Sequence, residues 1–403
     1  MSKIKKIGGQ TLIGGLSRVY HCNHYNAHLQ MSVLMSEGID NHQPQKLLTD
    51  AVTPLILALK ATGYTDKDLI HEFSFCGYGK LRPIDDKHWG TPSSHYSQSI
   101  YLHGKAMKTC FFNTGYIQGI TETYGEEICC QQLGDKADLF TTSDKTVDTA
   151  DYLTIEHDLT AVPERFDFPD CQDFDTTVDE QQIIQAVTGL PLHGNLGQHD
   201  DGLIHAFGVV LTNHFADYYN RISYETYFKM IKAGIPDGDT KEIFIQSGHI
   251  CAFNTFGGIM SSPEWHAVAE IYCENREDWF HAMVAVINAL GWGMFRLEKI
   301  DIEKELVMRV YNSYEGVGFR RMYPAQSDKN MSFLVMGAVL GLVHLLWKVD
   351  IREKPTLDED FYVTQFNNPT NSYSVEQTHA IAAGDGYDRV VIRNPNATSI
   401  EPK

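Results

Sequence analysis

A short stretch near the amino terminus is dense in side chains that bind metals or transfer protons. It contains His21, Cys22, His24, Tyr25 and His28. On an α-helix, the three histidines would lie at positions i, i+3 and i+7, so one helix face would carry three imidazoles. Such a face could bind a metal, or could supply acid–base groups near neutral pH. The candidate catalytic residues are therefore His21, His24 and His28.

A structural role is the alternative for this stretch. The pattern His-x-x-x-aromatic-Asn occurs at His21–Asn26 and again at His249–Asn254. Because the pattern recurs, His21 and Asn26 could serve the same structural purpose in two copies of one domain. His24 and His28 would then be partly exposed helix residues without a chemical role, and the sequence leaves both interpretations open.

Aromatic side chains form a second group of candidates. Phe253 and Phe256 flank Asn254 and precede Gly257 and Gly258, a pattern that predicts close approach of the backbone to another group. Aromatic walls suit an apolar pocket for a small organic molecule, although the same residues would serve equally well in an ordinary core. The candidate ligand-binding residues are Phe75, Phe112, Tyr116, Phe253, Asn254 and Phe256.

Composition and charge restrict the class of protein and its partners. The 403 residues, 43% of them hydrophobic and 21% charged, suffice for two or three globular domains. A formal net charge of −19 repels nucleic acids and anionic lipids. No apolar run approaches the roughly 18 residues of a membrane span, and no apolar signal-peptide segment follows the basic first residues. We therefore expect a cytoplasmic protein without nucleic-acid or membrane partners.

The elements that must position the candidate residues occur twice, in the same order. They are, in the first and second copy, an amphipathic helix ending in glycine (47–63 and 279–293), strand-like alternation (70–81 and 294–311), a helix with Gly-x-x-x-Gly (115–119 and 337–341), and a Gly-Asp motif before a strand (134–138 and 384–388). The repetition predicts an α+β fold made of two tandem repeats of a helix–hairpin–helix–strand domain with an antiparallel sheet.

The repeat also sets the expected domain boundaries. They are 1–140 for the first domain, 141–243 for an acidic linker with packing helices, 244–395 for the second domain and 396–403 for a tail. Within the linker, Tyr152–Glu156 favours a strand and 203–228 favours a packing helix. Within the second domain, Asp350–Ser374 favours an exposed loop.

Cysteines and glycines around the small-residue helix of the first copy carry a family resemblance. Eight cysteines in a chain of this length are better interpreted as thiols or metal ligands than as a disulfide framework. The run Cys110-x4-Gly115-x3-Gly119, followed by Glu127-x-x-Cys130-x3-Gly134-Asp135, resembles the 4-vinyl-reductase-type domain. The resemblance covers most of 15–140 and, more weakly, 245–393. That family includes sensor regions of phenol-responsive transcription activators, and its fold is related to subunits of a vesicle-tethering transport particle.

The resemblance implies a small-molecule receptor with a neighbouring metal site. Carried over residue by residue, the four ligands would be Cys110, Glu127, Cys130 and Asp138. Aspartate stands where the family has its last cysteine; thiolates and carboxylates both bind zinc, and the exchange favours iron or another harder metal. Zinc or iron is thus the expected cofactor. The near-equivalent residues of the second copy are Ser332, Glu376, His379 and Asp388. Serine is a poor ligand, so the second site is expected to have decayed.

Three functions are compatible with the sequence. The first is a protein that binds a small apolar or aromatic molecule, braced by the metal site of the first copy. This choice fits the resemblance and the absence of a phosphate-binding loop or a dinucleotide-binding fingerprint. The alternative is a non-haem iron enzyme that acts on a small organic substrate through the histidines at 21, 24 and 28. An assembly module is the third, by analogy of fold alone. Because relatives often dimerise through this domain, we also expect a homodimer or an intrachain pseudo-dimer.

Overall fold

The computed structural model describes residues 4–100, 107–148, 158–194, 200–326, 330–366 and 373–394. Contacts divide the chain into two compact units. Unit 1 comprises Met1–Lys5, Thr11–His157 and Pro191–Ile243, and unit 2 comprises Lys6–Gln10, Asp158–Leu190 and Phe244–Lys403. Each unit is therefore assembled from separate stretches of sequence.

Helices and short strands account for most of the described chain. In residues 4–148 they are β1 (Lys5–Ile7), β2 (Gln10–Ile13), β3 (Leu16–Cys22), α1 (Asn23–Leu34), α2 (Pro44–Asp50), α3 (Thr53–Ala61), α4 (Asp66–Phe75), β4 (Gly79–Pro83), β5 (His88–Ser94), α5 (His95–Gln98), α6 (Phe111–Thr121), β6 (Thr123–Cys129) and β7 (Asp138–Thr146). In residues 158–268 they are α7 (Glu180–Gly189), β8 (Ile204–Ala206), β9 (Val209–Phe215), α8 (Ala216–Lys232), α9 (Asp237–Cys251), a π-helix (Ala252–Phe256), α10 (Gly257–Ser261) and α11 (Pro263–Val268). The rest are α12 (Arg276–Ala289), β10 (Met294–Asp301), β11 (Glu305–Tyr311), α13 (Tyr314–Met322), α14 (Phe333–Val343), a second π-helix (His344–Val349), α15 (Glu359–Phe366), β12 (Ser374–His379) and β13 (Asp388–Arg393). Within these described ranges, no helix has both the length and the hydropathy that a membrane span requires.

The sheets of both units are built from antiparallel pairs. Unit 1 has one sheet in the order β4-β5-β7-β6 and a second in which β2, β3, β9 and β8 are neighbours. Unit 2 has a sheet in the order β10-β11-β13-β12. The predicted α+β class with antiparallel sheets is confirmed, and the four-stranded sheet occurs once in each unit with the same order.

The Gly-x-x-x-Gly helices, α6 and α14, pack against a neighbouring helix at almost backbone distance. A methyl group on Gly115 would lie 2.2 Å from the carbonyl oxygen of Thr49 in α2. One on Gly337 would lie 2.0 Å from the carbonyl oxygen of Ile245 in α9. No other residue type fits these contacts without displacing the neighbouring helix. These glycines therefore allow close helix packing in both units, and α9 takes the place in unit 2 that α2 has in unit 1.

The two histidine motifs do not occupy equivalent elements, so this part of the predicted repeat is wrong. His21 is the penultimate residue of strand β3, whereas His249 lies in helix α9 and Asn254 in the π-helix. The structural counterpart of His21 is His214, the penultimate residue of β9. Both strands follow a short hairpin and lead into a long helix, and they pair with each other, with Val19 opposite His214. Matching residue types at equal spacing does not distinguish a strand from a helix.

Other sequence predictions differ from the structure in boundaries. Residues 70–75 continue helix α4 instead of starting a strand, because the capping box of Thr65 and Asp68 starts a helix just before them. The strand-like alternation predicted at 294–311 is confirmed as a hairpin, since β10 ends at Asp301 and β11 begins at Glu305. Residues 203–228, predicted as a packing helix, contain strands β8 and β9 before α8. The predicted loop at 350–374 contains α15.

The segment predicted as a linker is divided between the two units. Residues 158–190, with α7, are assigned to unit 2, and residues 191–243, with β8, β9 and α8, are assigned to unit 1. The predicted strand at 152–156 and the tail at 396–403 lie outside the described residues.

Candidate functional site

The four residues predicted as metal ligands come together in unit 1. One ligand atom from each of Cys110, Glu127, Cys130 and Asp138 lies within 4.8 Å of the other three, and all four residues are buried. Zinc–sulfur and zinc–oxygen distances of about 2.0–2.3 Å place tetrahedral ligand atoms roughly 3.3–3.8 Å apart. A small contraction of this cluster would therefore close a four-ligand shell. Among the described residues, no other group of three or more His, Cys, Asp or Glu side chains meets this criterion.

The ligands are positioned by the start of α6 and by the connection between β6 and β7. Cys110 immediately precedes α6, and Glu127 lies in β6 beside a bulge at residues 127–129. The connection turns through a short 3-10 helix and Gly134, whose φ of 95° lies in the left-handed region that favours glycine. The backbone N–H of Cys130 donates to Asp135 Oδ2 at 2.8 Å, which fixes the turn.

The two carboxylates differ in how they are held. Asp138 accepts hydrogen bonds from the Thr91 hydroxyl at 3.0 Å, the Ser97 hydroxyl at 2.6 Å and the Gln131 backbone N–H at 2.8 Å. Glu127 is 5% exposed, and its Oε2 accepts from the Cys110 backbone N–H at 3.3 Å. Its Oε1 is buried without a hydrogen-bond partner. Buried carboxylate oxygens are normally paired, so this atom is placed for a ligand that the protein itself does not supply.

The buried cluster concentrates acidic groups. Burial raises the pKa of the Cys110 thiol and raises that of Glu127 to about 9. A hydrogen bond from Cys110 lowers the pKa of Cys130 to about 5. Cys110, Glu127 and Cys130 therefore compete for few protons, and a divalent cation would relieve the electrostatic repulsion within the cluster.

Unit 2 shows the same place built from neutral groups. The counterparts of the four residues are Ser332, Gln377, Ala380 and Asp388. Gln377 Nε2 donates to Asp388 Oδ1 at 3.0 Å and to Ser332 Oγ at 3.3 Å, and Ser332 Oγ donates to Asp388 Oδ2 at 2.8 Å. These donors, together with the Ser313 hydroxyl, satisfy the carboxylate of Asp388. Unit 1 offers instead two thiols and two carboxylates with one orphan oxygen, a donor set that fits a metal ion.

The unit 2 counterparts predicted as Glu376 and His379 are wrong by one residue. Gln377 pairs with Val390 in the sheet just as Glu127 pairs with Phe140, two residues after the aspartate in each case. Side chains alternate along a strand, so a shift of one residue moves them to the opposite face. The separation of 250 residues that relates Asp138 to Asp388, applied to Glu127 and Cys130, gives Gln377 and Ala380.

A cleft of about 600 Å³ lies elsewhere in unit 1. Its walls come from β2, the end of α3 and α4, and include Ile13, Tyr64, His71, Glu72 and Phe75. This volume lies within the roughly 300–1,000 Å³ of small-molecule pockets. Three large apolar side chains line the cleft, Ile4, Ile13 and Phe75, together with six polar or charged ones.

A buried ion pair lies at one wall of the cleft. Glu72 pairs with the guanidinium of Arg18, and their side chains are 6% and 0% exposed. The Arg18 guanidinium also lies 3.5 Å from the ring centroid of Phe215. Sequence patterns gave no indication of this pair, because its members are distant in sequence and neither belongs to a motif.

Helix α6 connects the cluster to the cleft. It begins next to Cys110, and its Tyr116 donates a hydrogen bond to the carbonyl oxygen of Leu69 in α4 at 2.9 Å. Helix α4 carries the cleft residues His71, Glu72 and Phe75. A ligand that fixes the start of α6 therefore also supports one wall of the cleft.

The predicted ligand-binding residues do not line one pocket. Phe75 lines the cleft, but Phe112 and Tyr116 are completely buried, and Phe112 stacks on Tyr96 with centroids 5.2 Å apart. Phe253 and Phe256 are buried in unit 2. Asn254 donates to a carbonyl of its own helical segment. Phe112, Tyr116 and Phe256 thus act as core residues.

The three histidines predicted on one helix face are not brought together. His21 lies in a strand, is completely buried and stacks on Tyr25 with centroids 4.2 Å apart. His24 is exposed and His28 half-buried, both in α1. Burial lowers the pKa of His21 well below its ordinary value, so its ring is neutral. The expected three-imidazole face is therefore wrong, because the helix begins two residues after His21.

Comparison with known proteins finds a distant and partial structural likeness. No protein-family profile matches the chain, and no curated protein matches it. The crystal structure of the phenol-responsive sensory domain of the transcription activator PoxR with phenol is similar in part. It shares 10% sequence identity and a TM-score of 0.36, over 52% of this chain and 89% of that domain. Likeness at this level assigns neither a family nor a function.

Proposed function

We propose that unit 1 is a binding protein for a small apolar or aromatic molecule, held in the cleft beside Phe75 and braced by a metal ion in the cluster around Cys110. The cleft is the observation that carries the proposal, since its volume and its mixture of apolar and polar walls suit such a ligand. Ile4, Ile13 and Phe75 supply apolar surface, and His71 and Glu72 supply hydrogen-bonding groups.

The metal ion has a structural role in this proposal. All four candidate ligands come from the protein, which is the closed arrangement of structural zinc sites. Zinc therefore suits the cluster better than iron, for which a more carboxylate-rich set would be typical. When bound, the metal would fix the start of α6 relative to the β6–β7 connection. Tyr116 then transmits this support to α4 through its hydrogen bond to Leu69.

The cleft can be tested with a matched pair of exposed isoleucines. Ile4 lines the cleft and is 54% exposed, whereas Ile84 is 58% exposed and is not among the cleft-lining residues. A library of small aromatic compounds is screened by thermal shift, and hits are measured by calorimetry. We expect Ile4→Ala and Phe75→Ala to weaken binding and Ile84→Ala to leave it unchanged. Equal affinity of all four proteins for every hit, or no hit at all, would contradict the proposal.

The metal is tested by elemental analysis of tag-free protein. We expect about one equivalent of zinc per chain, lost on Cys130→Ala and kept on Cys129→Ala, since Cys129 lies outside the cluster. Iron in place of zinc would support the site but change its chemistry. If the protein contains no metal and binds no added zinc, the proposed structural metal ion is refuted. The proposal for the cleft is tested separately by the ligand screen.

A further inference from the structure

Two buried histidines in unit 2 form a hydrogen-bonded chain with a tyrosine. Nε2 of His249 lies 2.7 Å from Nδ1 of His344, and Nδ1 of His249 lies 2.8 Å from the hydroxyl of Tyr362. His249 is 6% exposed and His344 2%. The remaining ring nitrogen of His344, Nε2, is buried without a hydrogen-bond partner. Because an unpaired buried polar atom is costly, this nitrogen is placed for a group from outside the protein.

Aromatic rings pack against the ring of His344. Phe366 stacks on the His344 ring with centroids 5.1 Å apart and planes 19° apart. Tyr373 lies 5.7 Å from His344, and Phe253 lies 5.7 Å from Phe366, both between ring centroids. A group that reaches His344 Nε2 would therefore lie among flat rings, which favour a planar ligand.

The segment that carries Tyr362 and Phe366 covers this place without being buried itself. Helix α15 has no buried residue. An ion pair between Asp350 and Arg276, with a separation of 2.6 Å, anchors the start of the segment. Leu357 reaches the backbone at Gly257, where a methyl group would lie 2.3 Å from its side chain. The helix is thus held at its base and is exposed or half-buried along its length, so its displacement would uncover His249, His344 and Phe253.

The corresponding place in unit 1 is open. Gly119 faces the carbonyl oxygen of Thr53, and Gly341 faces that of His249, so Thr53 and His249 occupy equivalent positions. Thr53 lines a groove of about 260 Å³ with polar walls. Unit 2 has two imidazoles and a covering helix at the position where unit 1 has this groove.

We propose that His344 is the polar anchor of a second small-molecule site, in unit 2, which takes a planar ligand bearing one amide, hydroxyl or carbonyl group and is closed by α15. This site is independent of the cleft in unit 1. No residue of the cleft or of the metal cluster takes part in the proposed second site.

The histidine chain suits ligands of this class. Burial lowers the pKa of His249 to about 4 and lowers that of His344 further, so both rings are neutral at pH 7. If the Tyr362 hydroxyl donates to His249, then His249 donates to His344, and His344 Nε2 carries a proton. If the chain runs in the opposite direction, His344 Nε2 accepts instead. A primary amide both donates and accepts, so it is matched by either arrangement.

The test uses the full chain and benzamide as the probe, with toluene as the analogue that lacks the amide. Ring nitrogens of histidine are observed by nitrogen-15 magnetic resonance during titration. We expect benzamide to shift the signals of His249 and His344 and toluene to bind more weakly. His344→Phe keeps an aromatic ring but loses the nitrogens, and should lower benzamide affinity about tenfold, the value of one hydrogen bond.

Two further variants keep the test decisive. Tyr362→Phe removes only the hydroxyl at the far end of the chain; it should alter the His344 signal and benzamide affinity even if His344→Phe does not fold. Tyr387→Phe, the same change outside this site, should have no effect, and Phe75→Ala should leave these signals intact. Unchanged histidine signals in the wild type at saturating benzamide would overturn the proposal, as would equal affinity of the wild type and the folded His344→Phe or Tyr362→Phe variant.

Discussion

Conversion of the unit 1 cluster into its unit 2 counterpart separates a metal site from a merely buried polar site. The change is Cys110→Ser, Glu127→Gln and Cys130→Ala, with Asp138 kept. In unit 2 the serine, glutamine and aspartate at these positions are joined by hydrogen bonds, and the fourth position is an alanine. We expect the triple variant to fold and to bind no zinc. Its stability should not respond to a chelator, whereas that of the wild type should fall.

The expected size of the chelator effect follows from linkage. A metal at about a thousand times its dissociation constant stabilises the folded state by about 4 kcal/mol. Each kcal/mol shifts the melting temperature by about 2–4 °C for a unit of 150–250 residues. Chelation should therefore lower the wild-type transition by roughly 8–16 °C. Pairing of Glu127 Oε1, a buried oxygen whose lack of a partner costs about 1–3 kcal/mol, is one part of this binding free energy.

Scanning calorimetry with and without chelator, alongside elemental analysis, measures the effect. Cys129→Ala is the matched control, because it removes a thiol next to Cys130 that is not part of the cluster. This control should behave as the wild type does. An unchanged wild-type melting temperature in the presence of chelator would refute the reasoning. A triple variant whose melting temperature still falls on chelation would also refute it.

Three further predictions concern packing, charge and pH. Gly115→Ala should lower the free energy of unfolding of unit 1 by about 1–3 kcal/mol. Gly189→Ala is the control, because no atom lies within 4 Å of the added methyl group. It should change the free energy of unfolding by less than about 0.5 kcal/mol, as measured by urea denaturation. Arg18→Met leaves the buried Glu72 without its cation and should cost about 3–5 kcal/mol, part of which Glu72→Gln should restore; equal stability of the single and double variants would contradict this. Burial lowers the pKa of His281 to about 3, so the unfolded chain takes up a proton below pH 6.5 that the folded chain does not, and unit 2 should lose about 1.4 kcal/mol of stability for each pH unit between 6.5 and 3 at this residue. His281→Phe should lower the slope of the free energy of unfolding against pH by about 1.4 kcal/mol per pH unit, which corresponds to one proton. An unchanged slope would exclude this contribution.

The parts of the site that depend on local order along the chain could be predicted from the sequence. The run of residues around Cys110, Glu127 and Cys130 carries the family resemblance, and the four ligand positions that the resemblance implies do come together. Long-range placement could not be predicted in the same way. Nothing in the spacing of Arg18 and Glu72 indicates that they meet, because that contact depends on how β3 and α4 pack.

The histidine prediction failed for a related reason. Equal spacing of His21 and His249 from their asparagines suggested a repeat, but spacing alone does not specify whether a residue lies in a strand or a helix. The side chains that do correspond, His21 and His214, share a strand end and a following helix instead of a motif. Hydrophobic periodicity predicted the helix in 203–228 but missed the two short strands before it.

The pairing of β3 with β9 has a consequence for how the chain is made. Strand β9 is synthesised about 190 residues after β3, yet β3 has no partner on that side until β9 arrives. During translation, the nascent chain therefore presents an unpaired strand edge while the intervening residues emerge, and such edges pair readily with neighbouring chains. On a crowded polysome the β8–β9 hairpin of one nascent protein can fill the edge left open by another. The yield of correctly closed monomer should therefore depend on expression rate and on chaperones that shield β3, and slow expression should favour closure within one chain over exchange between chains.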